Sequence, residues 1–170
     1  MKNKKVLYLT QAAIIVVLYV LLTQLSNVFG LASSLIQVRF SEALCIMALF
    51  TPAAIPGLTI GCLLSNLLIG SPLPDIVFGS LATFLGALGT RAFYKLAKRK
   101  TAWLFPALLP PILSNTIIIP FVLKYAYGLG PLWLSFVTVF AGEFISCGIL
   151  GSILYFALRK HIYKIWPEEQ

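Results

Sequence analysis

Apolar residues fill six long runs along this chain, and short polar or proline-rich stretches separate them. The runs lack the polar face of a surface helix in water, because apolar residues occupy nearly every position. Several contain about 20 or more residues, the length that a helix needs to cross a bilayer. The pattern predicts an all-α integral membrane protein with six transmembrane helices, at residues 6–25, 38–50, 57–69, 75–96, 102–122 and 131–158.

The stretches that join or interrupt the runs have distinctive compositions. Residues 26–36 are apolar but contain Asn, Gly and Ser, which predicts a re-entrant or capping loop on the outer side. Residues 51–57 include Pro52 and Pro56, and they predict a tight cytoplasmic turn because proline breaks a helix interior. The fifth span is expected to be a broken helix, interrupted at Pro106, Pro110 and Pro111.

Basic residues lie beside the apolar runs rather than in one stripe. The chain has 13 Lys and Arg, 5 Asp and Glu, and a formal net charge of +8. Clusters occur at residues 2–5, 91–100 and 159–164, at the ends of predicted spans. Such clusters mark cytoplasmic segments, and six crossings with both termini in the cytoplasm place all three on that side. The charge therefore indicates anchoring in a bacterial plasma membrane rather than nucleic-acid binding.

The composition agrees with this interpretation. Hydrophobic residues make up 59% of the chain and charged residues 11%, whereas a soluble domain carries about 25% charged residues. We expect a single membrane domain over residues 1–170. The three cysteines (Cys45, Cys62 and Cys147) fall inside apolar runs without metal-ligand spacing, so they are interpreted as packing residues and no metal or cofactor is predicted.

The few polar residues inside the runs are the candidates for a binding site, because charge inside a span is costly and usually functional. Arg39 and Glu42 stand three residues apart, where an α-helix would place them on one face and let them neutralise each other. Glu143 lies about a dozen residues into the sixth span, near mid-depth at ~1.5 Å per residue. The polar groups that gather in the outer half, as in a pocket entered from outside, are Gln37, Arg39, Glu42, Asn66, Asp75, Ser114, Asn115 and Glu143.

Each candidate also has a structural explanation. The charged pair at the start of the second span can simply orient its helix. Asp75 can cap the fourth helix by accepting hydrogen bonds from free backbone amides. Asn66 and Asn115 can link neighbouring helices through hydrogen bonds. Glu143 is the hardest to explain in this way, because no basic residue lies near it in its own predicted helix, and we favour a ligand contact there.

The residues needed for catalysis or for the use of ATP are missing from the pattern. The one histidine, His161, lies in the basic tail, and no serine in a span has an evident lysine or histidine partner. The sequence contains no Gly-x-x-x-x-Gly-Lys-Ser/Thr loop for nucleotide phosphates. It therefore predicts binding and translocation rather than an enzyme, with energy from a partner chain or a coupling ion.

Part of the chain resembles a known family. Residues 37–44 (QVRFSEAL), residues 49–58 (LFTPAAIPGL) and the pair Gly61 and Cys62 are similar to the QueT family. Members of that family are the substrate-binding S components of energy-coupling factor (ECF) transporters assigned to queuosine precursors. The stretch from Val38 to Gly61 is the specific part of the resemblance, and the remaining spans are generic hydrophobic sequence.

The resemblance implies an S component that captures its substrate from outside. It would dock on a transmembrane coupling subunit driven by two cytoplasmic ATPases, and topple in the membrane to release its load. The implied docking surface is on the first helix at Ala12, Ala13 and Val16. The two alanines match part of the small-residue motif of related S components, whereas Val16 departs from it.

The implied ligand is a queuosine precursor, with 7-aminomethyl-7-deazaguanine favoured. Its guanine edge and cationic arm offer N–H donors that carboxylates accept in charge-assisted hydrogen bonds. We expect Glu42 and Glu143 to contact these donors and Asp75 to act as a supporting or gate acid. The remaining expected binding residues are Gln37, Arg39, Asn66 and Asn115, with Phe40 or Phe144 stacking on the base.

Three other functions remain compatible with the sequence. A carrier that works alone could use Glu143 to couple transport to a proton or sodium gradient. An S component of the same fold could bind a different vitamin. A membrane scaffold or enzyme is the third alternative, and it would have side chains filling the outer pocket.

Overall fold

A computed structural model describes residues 4–31, 37–96 and 104–159 of the chain. Every regular element within those ranges is a helix, which confirms the all-α prediction for them. The elements are α1 (Lys4–Val28), a 3-10 helix (Phe40–Ile46) that continues into α2 (Met47–Phe50), α3 (Ala54–Ile69), α4 (Leu73–Leu96), α5 (Leu104–Tyr127), α6 (Leu132–Glu143), a π-helix (Phe144–Leu150) and α7 (Gly151–Leu158). Parts of the predicted outer loop and of the basic clusters, at residues 1–3, 32–36, 97–103 and 160–170, lie outside the described residues.

Four of the described helices are long and apolar enough to cross a membrane. These are α1, α4, α5 and the continuous helix Leu132–Leu158 formed by α6, the π-helix and α7. The helices Phe40–Phe50 and Ala54–Ile69 are also apolar but shorter. The chain is therefore a helical membrane protein, and the two predicted short spans correspond to these shorter helices.

The helices continue through the prolines that the sequence predicted would interrupt them. Pro56 lies within α3, which begins at Ala54, because the amides of a first helical turn have no partner inside the helix and proline is tolerated there. The fifth span is one helix with Pro110 and Pro111 inside it, so the expectation of a broken helix is wrong. A Cβ added to Gly86 of α4 would lie 2.6 Å from Pro111, and one added to Gly89 would lie 2.6 Å from Pro110. The two glycines therefore make room for the proline rings.

Close contacts between glycines and larger residues show the relative directions of two pairs of helices. On α3, an added Cβ at Gly57 would lie 3.0 Å from Ile15, and one at Gly61 would lie 2.7 Å from Tyr19, so α1 and α3 run parallel. The contacts of α4 with α5 run in the opposite order, so these two helices are antiparallel. We call the end of the bundle where α1 begins the near side and the end where α1 finishes the far side; α4 begins and α5 finishes on the far side.

The segment Phe40–Phe50 runs through the interior beside α1. Its residues from Ser41 to Phe50 are at most 8% exposed. Hydrogen bonds connect it to α1 in antiparallel order: the Phe40 amide donates to Ser26 Oγ at 2.8 Å, and Thr51 Oγ1 donates to Gln11 Oε1 at 2.7 Å. The segment thus descends from the level of Ser26 to the level of Gln11. A 3-10 helix rises ~2.0 Å per residue, which lets a short segment cover this distance.

Candidate functional site

Five of the predicted binding residues surround one small cavity between the 3-10 helix, α3, α4, α5 and α6. The cavity measures about 20 Å³ and is lined by Gln37, Arg39, Glu42, Cys62, Gly79, Thr83, Asn115, Ile119, Val139 and Glu143. Small-molecule pockets usually measure ~300–1,000 Å³, and a space of this size holds about one water. The polar groups converge as the sequence predicts, but the space between them is much smaller than a small-molecule pocket.

The 3-10 helix places Glu42 at the wall of this cavity. Glu42 is 3% exposed, and Tyr19 of α1 donates its phenolic hydrogen to Glu42 Oε1. Cys45 Sγ lies 3.4 Å from Glu42 Oε2, one 3-10 turn further along. Both carboxylate oxygens therefore have donors from the protein, which fix the orientation of the Glu42 side chain.

Glu143 ends α6 directly before the π-helix and faces the same cavity. Cys147 Sγ, on the π-helix, lies 3.4 Å from Glu143 Oε2 and 3.3 Å from the carbonyl oxygen of Glu42. The thiol has one proton, so it can serve only one of these acceptors at a time. A π-helical segment inside an α-helix is frequently found at functional sites, and this one packs on the 3-10 helix.

Asn115 brings an unused donor to the cavity. The residue is 4% exposed, and its Nδ2 has no hydrogen-bond partner among the described residues. Asn115 is close to the Glu143 carboxylate, but the contact does not reach hydrogen-bonding geometry at Nδ2. A buried amide donor without a partner costs free energy, so this atom is available to a ligand or a water.

Arg39 belongs to a second polar group on the far side. Its Nη2 lies 3.9 Å from Asp75 Oδ2, and its Nη1 donates to Asn66 Oδ1 at 3.3 Å. Asp75 Oδ2 also accepts a hydrogen bond of 2.7 Å from Tyr127 Oη, and Asn66 Nδ2 donates to the Asp75 carbonyl at 3.3 Å. We call Arg39, Asn66, Asp75 and Tyr127 the far-side network. It connects the 3-10 helix with the far ends of α3, α4 and α5.

The predicted pairing of Arg39 with Glu42 is therefore wrong. Arg39 precedes the first residue of the 3-10 helix and has extended backbone angles, so it does not share a helical face with Glu42. Its ion pair is with Asp75 instead. The alternative that Asp75 only caps α4 does not describe its contacts either, because its carboxylate contacts Tyr127 and Arg39. Asn66 is a connection between helices, as one of the sequence interpretations proposed.

The two predicted stacking residues do not line the cavity. Phe144 is 38% exposed and packs against Phe105 and Phe140, with ring centroids 6.0 and 6.2 Å away. Phe40 is half-buried and is not among the residues that line the space. Apolar walls come instead from Ile119 and Val139, which sequence reasoning did not single out.

Two glycines let the polar groups approach one another. A Cβ on Gly79 would lie 3.1 Å from Asn66 Nδ2 and 3.5 Å from Asp75 Oδ1. A Cβ on Gly142 would collide with the carbonyl oxygen of Gln37. Gly79 is one of the positions in α4 where the sequence predicts a close helix contact, and the structure confirms it. Gly142, Tyr19 and Thr83 could not be found from the sequence, because they are ordinary residues of apolar helices until their neighbours are known.

The predicted docking residues lie on the most exposed long helix. Only 22% of the residues in the apolar stretch of α1 are buried, a smaller share than in the other three long helices. Ala13 is exposed, whereas Ala12 and Val16 are half-buried and Ala12 packs near Gly57 of α3. The outward part of the predicted surface is therefore Ala13.

Comparisons with known proteins point to one family. The family model described as "QueT transporter" matches residues 9–160. A protein of Lactococcus lactis subsp. cremoris (strain MG1363), named queuosine precursor transporter QueT, is 30% identical over 169 residues, covering 95% of this chain and 98% of the relative. No solved structure matches the chain significantly. The family match over most of the sequence, together with the apolar helices, shows that this chain belongs to the QueT transporter family.

Proposed function

We propose that this chain is the substrate-binding S component of an ECF importer and captures a queuosine precursor from outside the cell. The observation that carries the proposal is the convergence of Glu42, Asn115 and Glu143 on one small cavity inside a membrane protein. The naming of the Lactococcus relative as a queuosine precursor transporter supports the choice of ligand class. The membership of a transporter family also agrees with a protein that is not an enzyme.

The donors and acceptors at the cavity suit 7-aminomethyl-7-deazaguanine. Its N–H groups and its ammonium are donors for Glu143 and Glu42, and its ring carbonyl is an acceptor for the unpartnered Nδ2 of Asn115. Ile119 and Val139 would pack on the two faces of the base in place of Phe40 and Phe144. Because Arg39 is already paired with Asp75, the two glutamates favour a ligand with a positive charge.

The far-side network is the proposed gate. It joins the helix ends nearest to the cavity on the side where α4 begins and α5 finishes. A bicyclic base needs a space many times larger than about 20 Å³, so the helices must part before the ligand enters. Separation of Arg39 from Asp75 would release the 3-10 helix from α4 and widen the cavity.

Six crossings with both termini in the cytoplasm agree with the contacts of the short helices. The segment Phe40–Phe50 descends beside α1 from Ser26 to Gln11, and α3 returns parallel to α1. The far side would then face the exterior, and the cavity would be reached from there. The positive-inside pattern of the sequence favours the same orientation.

Energy for uptake would come from partners. The sequence has no nucleotide-binding loop of the Gly-x-x-x-x-Gly-Lys-Ser/Thr type, so a coupling subunit in the membrane and two cytoplasmic ATPases would drive release. The exposed face of α1 around Ala13 is the proposed docking surface for the coupling subunit. Uptake by the chain alone in liposomes under a proton or sodium gradient would contradict this dependence on partners.

Ligand binding to the purified chain tests the proposal. We expect 7-aminomethyl-7-deazaguanine to raise the melting temperature of the parent, as ligands that bind only the folded state do. Glu143→Gln should weaken binding about tenfold or more, because hydrogen bonds to charged groups contribute ~1.5–3 kcal/mol. The matched control is Thr138→Val on the same helix, whose hydroxyl donates to its own helix at Ser135 and should not matter. Equal affinity of Glu143→Gln and the parent would refute the assignment.

A further inference from the structure

Two pairs of potential metal ligands, Glu42 with Cys45 and Glu143 with Cys147, meet beside the cavity although the pairs are far apart in sequence. A carboxylate oxygen of Glu42 and the Sγ atoms of Cys45 and Cys147 all lie within 4.8 Å of one another, and all three residues are buried. Glu143 Oε2 lies 3.4 Å from Cys147 Sγ. We call these four residues the thiol–carboxylate cluster. Its members come from the 3-10 helix, the last residue of α6 and the π-helix.

The distances within the cluster suit a tetrahedral metal ion. Zinc binds sulfur at ~2.3 Å and carboxylate oxygen at ~2.0–2.2 Å, which places neighbouring sulfur and oxygen ligands ~3.5 Å apart. The two sulfur–oxygen contacts, Cys45 with Glu42 and Cys147 with Glu143, both measure 3.4 Å. The Glu42 oxygen and the two sulfur atoms therefore need only a small rearrangement to bind one ion, whereas the Glu143 carboxylate lies outside this group of three and must move towards it.

The charges around the cluster also favour a cation. Glu42 and Glu143 bring two carboxylates into the membrane interior, whereas the guanidinium of Arg39 is paired with Asp75. A buried carboxylate is costly unless it is paired or coordinates a metal. Thiolate and carboxylate ligands together select a borderline-soft divalent ion such as Zn²⁺ over Mg²⁺ or Ca²⁺.

We propose that Glu42, Cys45 and Cys147 bind one divalent cation of the zinc class beside the cavity, with Glu143 as a fourth ligand once its side chain moves closer. The cation would enter through the cavity, since both glutamates line it, and it would compete there with the ammonium of the proposed ligand. On binding, the two thiols lose their protons to solvent and their sulfur atoms take the metal. The hydroxyl of Tyr19, which donates to the other oxygen of Glu42, would hold that ligand in place.

Cobalt substitution tests the site in the full-length chain purified in detergent and stripped with a chelator. Cobalt bound by thiolates in a tetrahedral site absorbs visible light and shows a sulfur-to-metal charge-transfer band in the near ultraviolet. We expect the parent to show both features at one equivalent of Co²⁺ and to lose them when Zn²⁺ displaces the cobalt. Cys45→Ser and Cys147→Ser should each lose the charge-transfer intensity in part and weaken Zn²⁺ binding at least tenfold.

Cys62→Ser is the matched control. Cys62 is also buried and lines the cavity, but it lies outside the thiol–carboxylate cluster and accepts a contact from Asn66 Nδ2 at 3.7 Å. This variant should keep the cobalt spectrum and the Zn²⁺ affinity of the parent. Absence of the charge-transfer band in the parent would overturn the proposal, and so would its survival in the double variant Cys45→Ser/Cys147→Ser.

Protection of the native thiols provides a second measurement that requires no substitution. We expect one equivalent of Zn²⁺ to slow alkylation of Cys45 and Cys147 at least tenfold in the folded parent, as mapped by mass spectrometry. Cys62 is also buried and should be slowed less, because it is protected only by the general stabilisation of the folded state. No slowing at Cys45 and Cys147 would contradict the site.

Discussion

The sequence singles out individual polar residues that line the cavity, but it does not reveal which residues they contact. Glu42, Asn115 and Glu143 stand out because they interrupt apolar runs, and all three line the cavity. Arg39 was predicted to pair with Glu42 on the assumption of a continuous α-helix. The backbone at Arg39 is extended, and its partner Asp75 comes from another helix, which spacing along the chain could not reveal.

Gly142 gives a sharp prediction at the residue scale. Gly142→Ala places a methyl group against the Gln37 carbonyl oxygen, a backbone atom that cannot rotate away. We expect a lower melting temperature in detergent, since overpacking costs ~1–3 kcal/mol. The control is Gly148→Ala, where the nearest atom to the added carbon is 3.6 Å away and no loss is expected. Equal melting temperatures for the two variants would show that α6 does not contact residue 37 this closely.

At the scale of elements, the sequence predicted the helices but not their type. Continuous apolar runs have no polar face from which a helical period can be measured, so a 3-10 helix at Phe40–Ile46 and a π-helix at Phe144–Leu150 leave no signal. The prolines of α5 were misleading for a related reason. Their effect depends on whether a neighbouring helix leaves room, and Gly86 and Gly89 of α4 do so.

The attachment of the 3-10 helix to α1 can be measured with a double-mutant cycle. Thr23 Oγ1 lies 2.8 Å from Ser41 Oγ, and both residues are at most 1% exposed. Thr23→Val leaves the buried Ser41 hydroxyl without this partner, and Ser41→Ala does the same to the Thr23 hydroxyl. Each variant should therefore have a lower melting temperature. The double variant should lose less than the two single losses added together, with a coupling of ~0.5–1.5 kcal/mol. Strict additivity would show that this contact does not hold the segment.

For the whole molecule, the arrangement of the short helices decides how the chain is inserted. The four long helices follow from length and hydropathy alone. Whether Phe40–Phe50 and Ala54–Ile69 cross the membrane depends on the depth of the turn between them, and the hydrogen bond between Thr51 and Gln11 places that turn low on α1. The prolines near residue 51 predict a turn, but they do not specify its level along α1, because the partner Gln11 belongs to a distant part of the chain.

Chemical labelling of the turn tests the six-crossing topology. We expect Pro52→Cys to react with a membrane-impermeant maleimide in inverted vesicles but not in intact cells, because the half-buried Pro52 would lie near the cytoplasmic surface. Leu129→Cys, at an exposed site between α5 and α6, is the matched control with the opposite expectation. Labelling of both positions from the same side would exclude six crossings with cytoplasmic termini.

The small size of the cavity has a kinetic consequence. Under the proposed function, a base cannot enter a space of about 20 Å³ as it stands, so the rate of capture would be limited by how often the helices separate. The observed association rate should therefore level off as ligand concentration rises, at a plateau equal to the opening rate. The apparent dissociation constant is the intrinsic one divided by the fraction of open molecules, so a substitution that favours opening would tighten binding without touching the ligand.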